Sequence, residues 1–204
     1  MDFRIVRLST LNPEQIGQVA LLHQRTIHSL LADLGLALVK RYYENLSRDQ
    51  SAIGLCAINE TGAVRGWASG SPNPERVNRS VSRPLSWFAP RILGALIARP
   101  MLLRQLFASA RAVSQPLPAG VIELTYIGVE SSVRKKGLGR ALLVAFLREA
   151  GEQGYRSVAL SVEAENNDAL SLYTGEGFEI VKSLQEGKFE RYRMEAHLGN
   201  EHIL

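Results

Sequence analysis

Residues 122–139 read IELTYIGVESSVRKKGLG. From Glu123 to Val129 the stretch is rich in β-branched and aromatic residues, the composition of a strand. From Leu138 onward apolar residues recur at Leu138, Leu142, Leu143, Phe146, Leu147 and Ala150, the period of a helix. Between the two lies Arg134-Lys135-Lys136-Gly137-Leu138-Gly139-Arg140. Glycine lets a backbone approach another group without a Cβ in the way. The first turn of a helix leaves amide N–H groups unpaired and carries partial positive charge. A strand, a basic glycine turn and a helix start therefore predict a cradle for a pyrophosphate.

The spacing Arg134-x-x-Gly137-x-Gly139 resembles the coenzyme-A motif of the GNAT superfamily, the acyl-CoA-dependent N-acyltransferases. A second stretch is similar to the family at the expected distance downstream: a strand, then Asn166-x-x-Ala169, Leu172-Tyr173 and Gly177-Phe178. The resemblance spans the chain outside residues 71–120. It implies an α/β (α+β) fold with a mixed central sheet, helices on both faces and a helical insertion between the third and fourth strands. It further implies acetyl-CoA as co-substrate and an amine as acceptor. A dinucleotide-binding fingerprint would need glycine or alanine where Leu142 stands, so that reading is set aside.

Amine attack on a thioester needs a neutral amine, a stabilised oxyanion and a donor to the leaving thiolate. By resemblance Tyr173 is the candidate donor, since a phenol is neutral at pH 7 and can give a hydrogen bond; a packed core tyrosine is the alternative. Asn166 is placed on the cofactor arm or as a helix cap. Ile127, Gly128 and Val129 match the strand that pairs with the pantetheine arm, with the Ile127 N–H toward the thioester carbonyl. Arg134, Lys135, Lys136, Gly137, Leu138, Gly139 and Arg140 match the pyrophosphate turn. Glu123, four residues before Ile127, matches a glutamate that serves several family members as general base through water; a structural ion pair is the alternative. Strict alternation would put Glu123, Thr125 and Ile127 on one face and Leu124, Tyr126 and Gly128 on the other. Tyr126 and Glu163 are further candidates for the substrate cleft. His28 and Ser29 fall where the family shapes its acceptor pocket, with a surface or capping role as the alternative for His28, and Trp67 and the pair Trp87-Phe88 are candidates to line it, with core packing as the alternative.

The 204 residues suit a single domain with an insertion, and 46% apolar with 22% charged residues indicate a globular chain. Cys56 is the lone cysteine and sits in an apolar run, so it reads as a buried thiol. The histidines at 23, 28, 197 and 202 show no metal-binding spacing, and no metal is expected. No apolar signal core or membrane-length run stands out, so a cytoplasmic protein is expected.

Phe3–Leu8 reads as a first strand, Asn12-Pro13-Glu14 as a capped helix start, and residues 33–48 as a second helix. Strands at 52–58 and 64–69 flank a hairpin turn at Asn59–Gly62. Residues 157–162, 166–175, 178–182 and 189–197 read as strand, helix, strand and strand. Residues 71–120, bordered by turn-rich segments, read as an insertion or lid. It holds candidate helices at 90–98 and 100–113, each opened by a proline.

Val77–Ile122 carries six arginines and no acid, whereas the whole chain is only +4. This charge suits an anionic small-molecule amine, with Arg104 and Arg111 as its contacts, or peripheral membrane contact through 85–113. No nucleic-acid partner is implied, and monomer and homodimer both remain open. A non-catalytic acyl-CoA-binding module and a protein lysine or N-terminal acetyltransferase are the alternative functions.

Overall fold

The computed structural model describes residues 3–98, 116–186 and 189–199. The predicted helix at 100–113, with Arg104 and Arg111, lies outside them. A seven-stranded sheet runs in the order β1-β2-β3-β4-β5-β7-β6. Its strands are β1 (Arg4–Arg7), β2 (Ile53–Ile58), β3 (Val64–Ser71), β4 (Val121–Val129), β5 (Ser157–Glu163), β6 (Glu179–Glu186) and β7 (Phe189–His197). All neighbours pair antiparallel except β4 with β5. The last strand inserts between β5 and β6 rather than extending the edge.

One face is covered by α1 (Pro13–Thr26), the short α2 (Leu30–Asp33) and α3 (Leu36–Leu46). Asn12 accepts from the Gln15 N–H while Gln15 returns a bond to the Asn12 N–H, a capping box that fixes where α1 begins. The predicted helix at 33–48 is α3, which begins at Leu36 after Gly35, whose φ of 107° ordinary residues avoid; the short α2 precedes it. Val19, Leu38, Tyr42, Tyr43, Cys56 and Trp67 form the core on this side. The opposite face is covered by α6 (Leu138–Glu152), whose predicted apolar stripe packs on Ile53, Leu55, Ile122, Leu124, Val158 and Leu160.

Two helices of the insertion are described, α4 (Pro74–Val81) and α5 (Leu85–Ala98). Val77, Val81, Trp87, Phe88 and Ile92 anchor them to the α1–α3 core. Pro90 does not open α5 but lies inside it, on the exposed side. Only the one bond its missing N–H would have made is lost there, and the Ser86 carbonyl can turn to water.

The register between β3 and β4 slips opposite Ser69/Gly70: Ser69 faces Tyr126 and Gly70 faces Leu124, leaving Thr125 as a bulge. This overturns the strict alternation. Ile122 and Leu124 pack under α6, and so do Ile127 and Val129, while Tyr126 packs under α1 and α3. Glu123 thus shares a face with Tyr126 and Gly128, not with Ile127. Gly70 is required opposite the bulge, because a Cβ there would lie 2.2 Å from the Glu123 carbonyl oxygen.

Candidate functional site

The parallel pairing of β4 with β5 runs only from Val121↔Ser157 to Glu123↔Ala159. Beyond it β4 continues to Val129 against β3, while β5 continues to Glu163 against β7. The strands splay, and a cleft of about 550 Å³ fills the wedge. Its walls are Glu123–Val129, Leu160–Glu163, the α1–α2 loop (Thr26–Leu30) and the start of α7 (Asn167–Gly175).

The edge facing this wedge is main chain. The Glu130 N–H donates to the Arg65 carbonyl, so Glu130 and, by alternation, Gly128 and Tyr126 turn their peptide groups toward β3. Ile127 and Val129 turn theirs the other way, into the wedge. An extended polar chain entering here could add to β4 as a strand would.

At the mouth of the cleft, beside Gly139, the basic turn has the expected shape. Lys135 (φ 59°) and Gly137 (φ 79°) are both left-handed, and no side chain caps the start of α6. Left-handed residues interleaved with others aim successive N–H groups into one concavity. Nothing lies within 4 Å of the point where a Gly137 Cβ would sit. Arg134, Lys135, Lys136 and Arg140 are exposed around it. Arg140 is held by Glu176 and Arg134 by the Val129 carbonyl. Oriented donors with basic side chains around them suit a pyrophosphate.

On the facing wall the Asn166 side chain caps α7 by accepting from the Ala169 N–H, and it also lines the cleft. Tyr173 is buried with its ring 5.7 Å from Phe178, yet it lines the same cleft. No hydrogen bond involving its hydroxyl occurs among the described residues. Burial pushes this phenol up to about 12. It stays protonated, and so able to donate a hydrogen bond, across the working range of an enzyme.

Glu123 also lines the cleft, but Arg193 on β7 holds its carboxylate at 2.9 Å. Beside it Arg191 holds Glu163 at 3.3 Å. His28, Ser29 and Tyr126 reach the cleft as expected, whereas Trp67 is core and Trp87-Phe88 pack against the α1–α3 layer away from it.

One group escaped the sequence reading. His23 is wholly enclosed behind the wall of the cleft formed by Ser29 and Tyr126, its ring 4.5 Å from that of Tyr126. Its Nδ1 lies 2.7 Å from the Tyr43 hydroxyl and its Nε2 3.2 Å from Ser29 Oγ. The signal was present, because His23 continues the buried stripe of Ile16, Val19 and Ala20 at helical spacing.

Burial lowers the His23 imidazole from 6.5 to about 4. Between those values the unfolded chain holds the extra proton, so stability falls as pH drops through the window and levels off below it. The full loss is about 3 kcal/mol. His23→Gln, which can keep both hydrogen bonds, is expected to show a flatter decline in urea titrations across this range. An unchanged slope would mean that the imidazole takes up its proton without cost to the fold.

With this geometry in place, relationships to known proteins can be assigned. The model of the Acetyltransferase (GNAT) family matches residues 24–178. The chain belongs to this family. It is similar to the mycothiol acetyltransferase of Nocardia farcinica, 35% identical over 102 residues, which cover 48% of this chain and 33% of the relative. Its likeness to that of Propionibacterium freudenreichii is 29% over 138 residues, covering 67% and 42%. The matched part is thus less than half the length of these relatives. An N-acetyltransferase from Staphylococcus aureus has the same fold, with a TM-score of 0.64 and 16% identity over 98% of this chain and all of that one. No described helix is long and apolar enough to cross a membrane.

Proposed function

We propose that this GNAT protein transfers an acetyl group from acetyl-CoA to the primary amine of a small molecule, with both bound at once. The observation that carries this reading is the wedge between β4 and β5, where β5 leaves the main-chain edge of β4 beyond Glu123 unpaired and which ends at the uncapped, basic start of α6. That combination suits a ligand that is extended and amide-bearing at one end and doubly phosphorylated at the other.

In this arrangement Arg134–Arg140 hold the pyrophosphate through N–H groups and charge, and Ile127 to Val129 pair with the pantetheine amides. The Ile127 N–H donates to the thioester oxygen, where negative charge develops. The acceptor nitrogen forms its bond to the carbonyl carbon, the carbon–sulfur bond breaks, and the sulfur leaves as thiolate. Tyr173 donates a hydrogen bond to that sulfur. The proton shed by nitrogen passes to Glu123 through water, and Arg193 holds this carboxylate in place. The acceptor enters past Ser29, Tyr126 and Glu163, beside Arg191. The arginine-rich insertion, with six arginines and no acid from Val77 to Ile122, favours an acceptor with an anionic group.

A panel of primary amines, scored by free-thiol release from acetyl-CoA, tests the reading. It should include anionic amino sugars, amino acids, polyamines and the acceptor used by the mycothiol acetyltransferases. Steady turnover with at least one small amine is the expected result. Coenzyme-A binding without turnover on any amine would make the protein an acyl-CoA-binding module. Turnover only on peptides would move the acceptor to the protein class.

A further inference from the structure

Behind the Ser29–Tyr126 wall of the cleft a row of polar side chains runs outward from the core, and the mechanism above uses none of the inner ones. Tyr43 and His23 are fully enclosed. The Tyr43 hydroxyl lies 2.7 Å from His23 Nδ1, and His23 Nε2 lies 3.2 Å from Ser29 Oγ. Ser29 stands at the head of α2, where its Oγ also accepts from the Ala32 N–H at 3.2 Å. Burial raises the Tyr126 phenol, and a hydrogen bond from Ser29 acts against that rise. Ser29 and Tyr126 both line the cleft. From core to cleft the row is therefore Tyr43, His23, Ser29 and Tyr126.

The direction of these hydrogen bonds is set at the buried end. Burial lowers His23 to about 4, so near pH 7 its ring is neutral, with one N–H and one accepting nitrogen. The Tyr43 hydroxyl makes its one close hydrogen bond with Nδ1. The Trp67 N–H and the Ser69 hydroxyl, its other polar neighbours, act on its oxygen as donors. A proton on Nδ1 would aim a third donor at that oxygen and leave the Tyr43 O–H without a close acceptor in the core, which is costly. Tyr43 therefore donates to Nδ1, and the imidazole proton sits on Nε2 and goes to Ser29. A hydroxyl oxygen accepts two hydrogen bonds, and those from Nε2 and the Ala32 N–H fill both places. The Ser29 proton is left to turn outward, to the Tyr126 oxygen. Tyr126 receives that bond, so its own proton points away from Ser29, on the side of the cleft that it lines. Bonds aligned head to tail in this way strengthen one another.

We infer that Tyr126 donates a hydrogen bond to an oxygen atom of the acceptor molecule, with Ser29 and His23 as positioning residues that fix the direction of its proton. The inference rests on the cleft being the acceptor site, as proposed above. The class it selects is a primary amine that also carries a carbonyl, carboxylate or hydroxyl oxygen, in preference to an alkylamine of the same size. An alkyl group in that place would leave a directed donor unpaired in the cleft, and sites built to bond a polar group reject the analogue that lacks it.

Two measurements on the full chain test this. The first needs no substrate. Nitrogen-15 NMR near pH 7, with His23→Gln identifying the signal, should show His23 with its proton on Nε2 and none on Nδ1. A proton on Nδ1 would reverse the row and overturn the inference. The second measures kcat/KM for amines paired by size, glycinamide with isobutylamine and ethanolamine with propylamine. Wild type should favour the oxygen-bearing member of a pair more than Tyr126→Phe does, by about tenfold or more. The loss should fall on the acceptor KM, with coenzyme-A affinity unchanged. Comparing variant with wild type cancels the different basicities of the amines. Ser29→Ala should lose much of the same preference, while Ser29→Thr, which keeps the hydroxyl, and His23→Gln, which can accept from Tyr43 and donate to Ser29, should retain it. Turnover with the preference unmoved in Tyr126→Phe would overturn this inference and leave the transferase reading standing. A wild type that binds coenzyme A and turns over no amine would overturn both.

Discussion

Tyr173→Phe is expected to lower kcat with acetyl-CoA by about 10²–10³-fold, the usual effect of removing one donor aimed at developing negative charge. The structure sets up a clean comparison. The ring of Tyr173 packs against Phe178, and phenylalanine keeps that packing. The hydroxyl is bonded to nothing among the described residues, so its removal leaves no partner unsatisfied. Thermal stability and affinity for coenzyme A should therefore hardly change. With burial raising the phenol to about 12 and a thiol near 8.5, full proton transfer to the sulfur runs uphill. Tyr173 is accordingly cast as a hydrogen-bond donor, and the pH–rate profile of the wild type should show no limb belonging to it in the neutral range. Loss of coenzyme-A affinity with kcat intact would instead make Tyr173 a packing residue of the cleft wall.

The architecture was legible where two independent signals agreed. At 122–139 a β-rich run, a glycine turn and a helical stripe each named one element, and all three stand where they were read. Asn12-Pro13-Glu14 marked the start of α1 by the chemistry of a cap. The same chemistry recurs at Asn73-Pro74-Glu75, where Asn73 accepts from the Arg76 N–H and opens α4. That helix was missed because the prolines at 72 and 74 read together as a turn border.

The bulge at Thr125 was missed for a subtler reason. Alternation assumes that each residue advances one step along its neighbour, and only the partner strand reveals a slip. The trace it leaves in sequence is a change of parity, from apolar Ile122 and Leu124 to apolar Ile127 and Val129. The consequence falls on the site itself, since the slip moves Glu123 to the face of Tyr126 and brings it to Arg193. Long-range pairing of this kind joins residues seventy apart, and no local pattern encodes it.

The cradle yields the other large effect. Gly137→Glu is expected to weaken coenzyme-A binding by about 10²-fold or more, from two separable causes. Gly137 is left-handed, a conformation that costs an L-residue about 1–2 kcal/mol. A turn that relaxes away from it in the free protein must be drawn back when the ligand binds. The second cause is charge. No protein atom lies within 4 Å of the point where a Cβ at 137 would sit, so the larger residue is accommodated and its carboxylate is added to the basic turn. A carboxylate roughly 5 Å from a phosphate charge costs about 3 kcal/mol at an effective dielectric of 20, and less where water enters.

Gly137→Gln shares the strain and the bulk but not the charge, so titration calorimetry on the two variants divides the causes. Glutamine should bind moderately worse than wild type, and glutamate much worse, with the gap between them narrowing as salt rises. The core of the fold lies elsewhere, so both variants should remain folded. Equal affinity of wild type, Gln and Glu variants would mean that the phosphates do not lie over this turn. The assignment of the wedge between β4 and β5 to coenzyme A would then lose its anchor, because its free edge alone fits any extended polar chain.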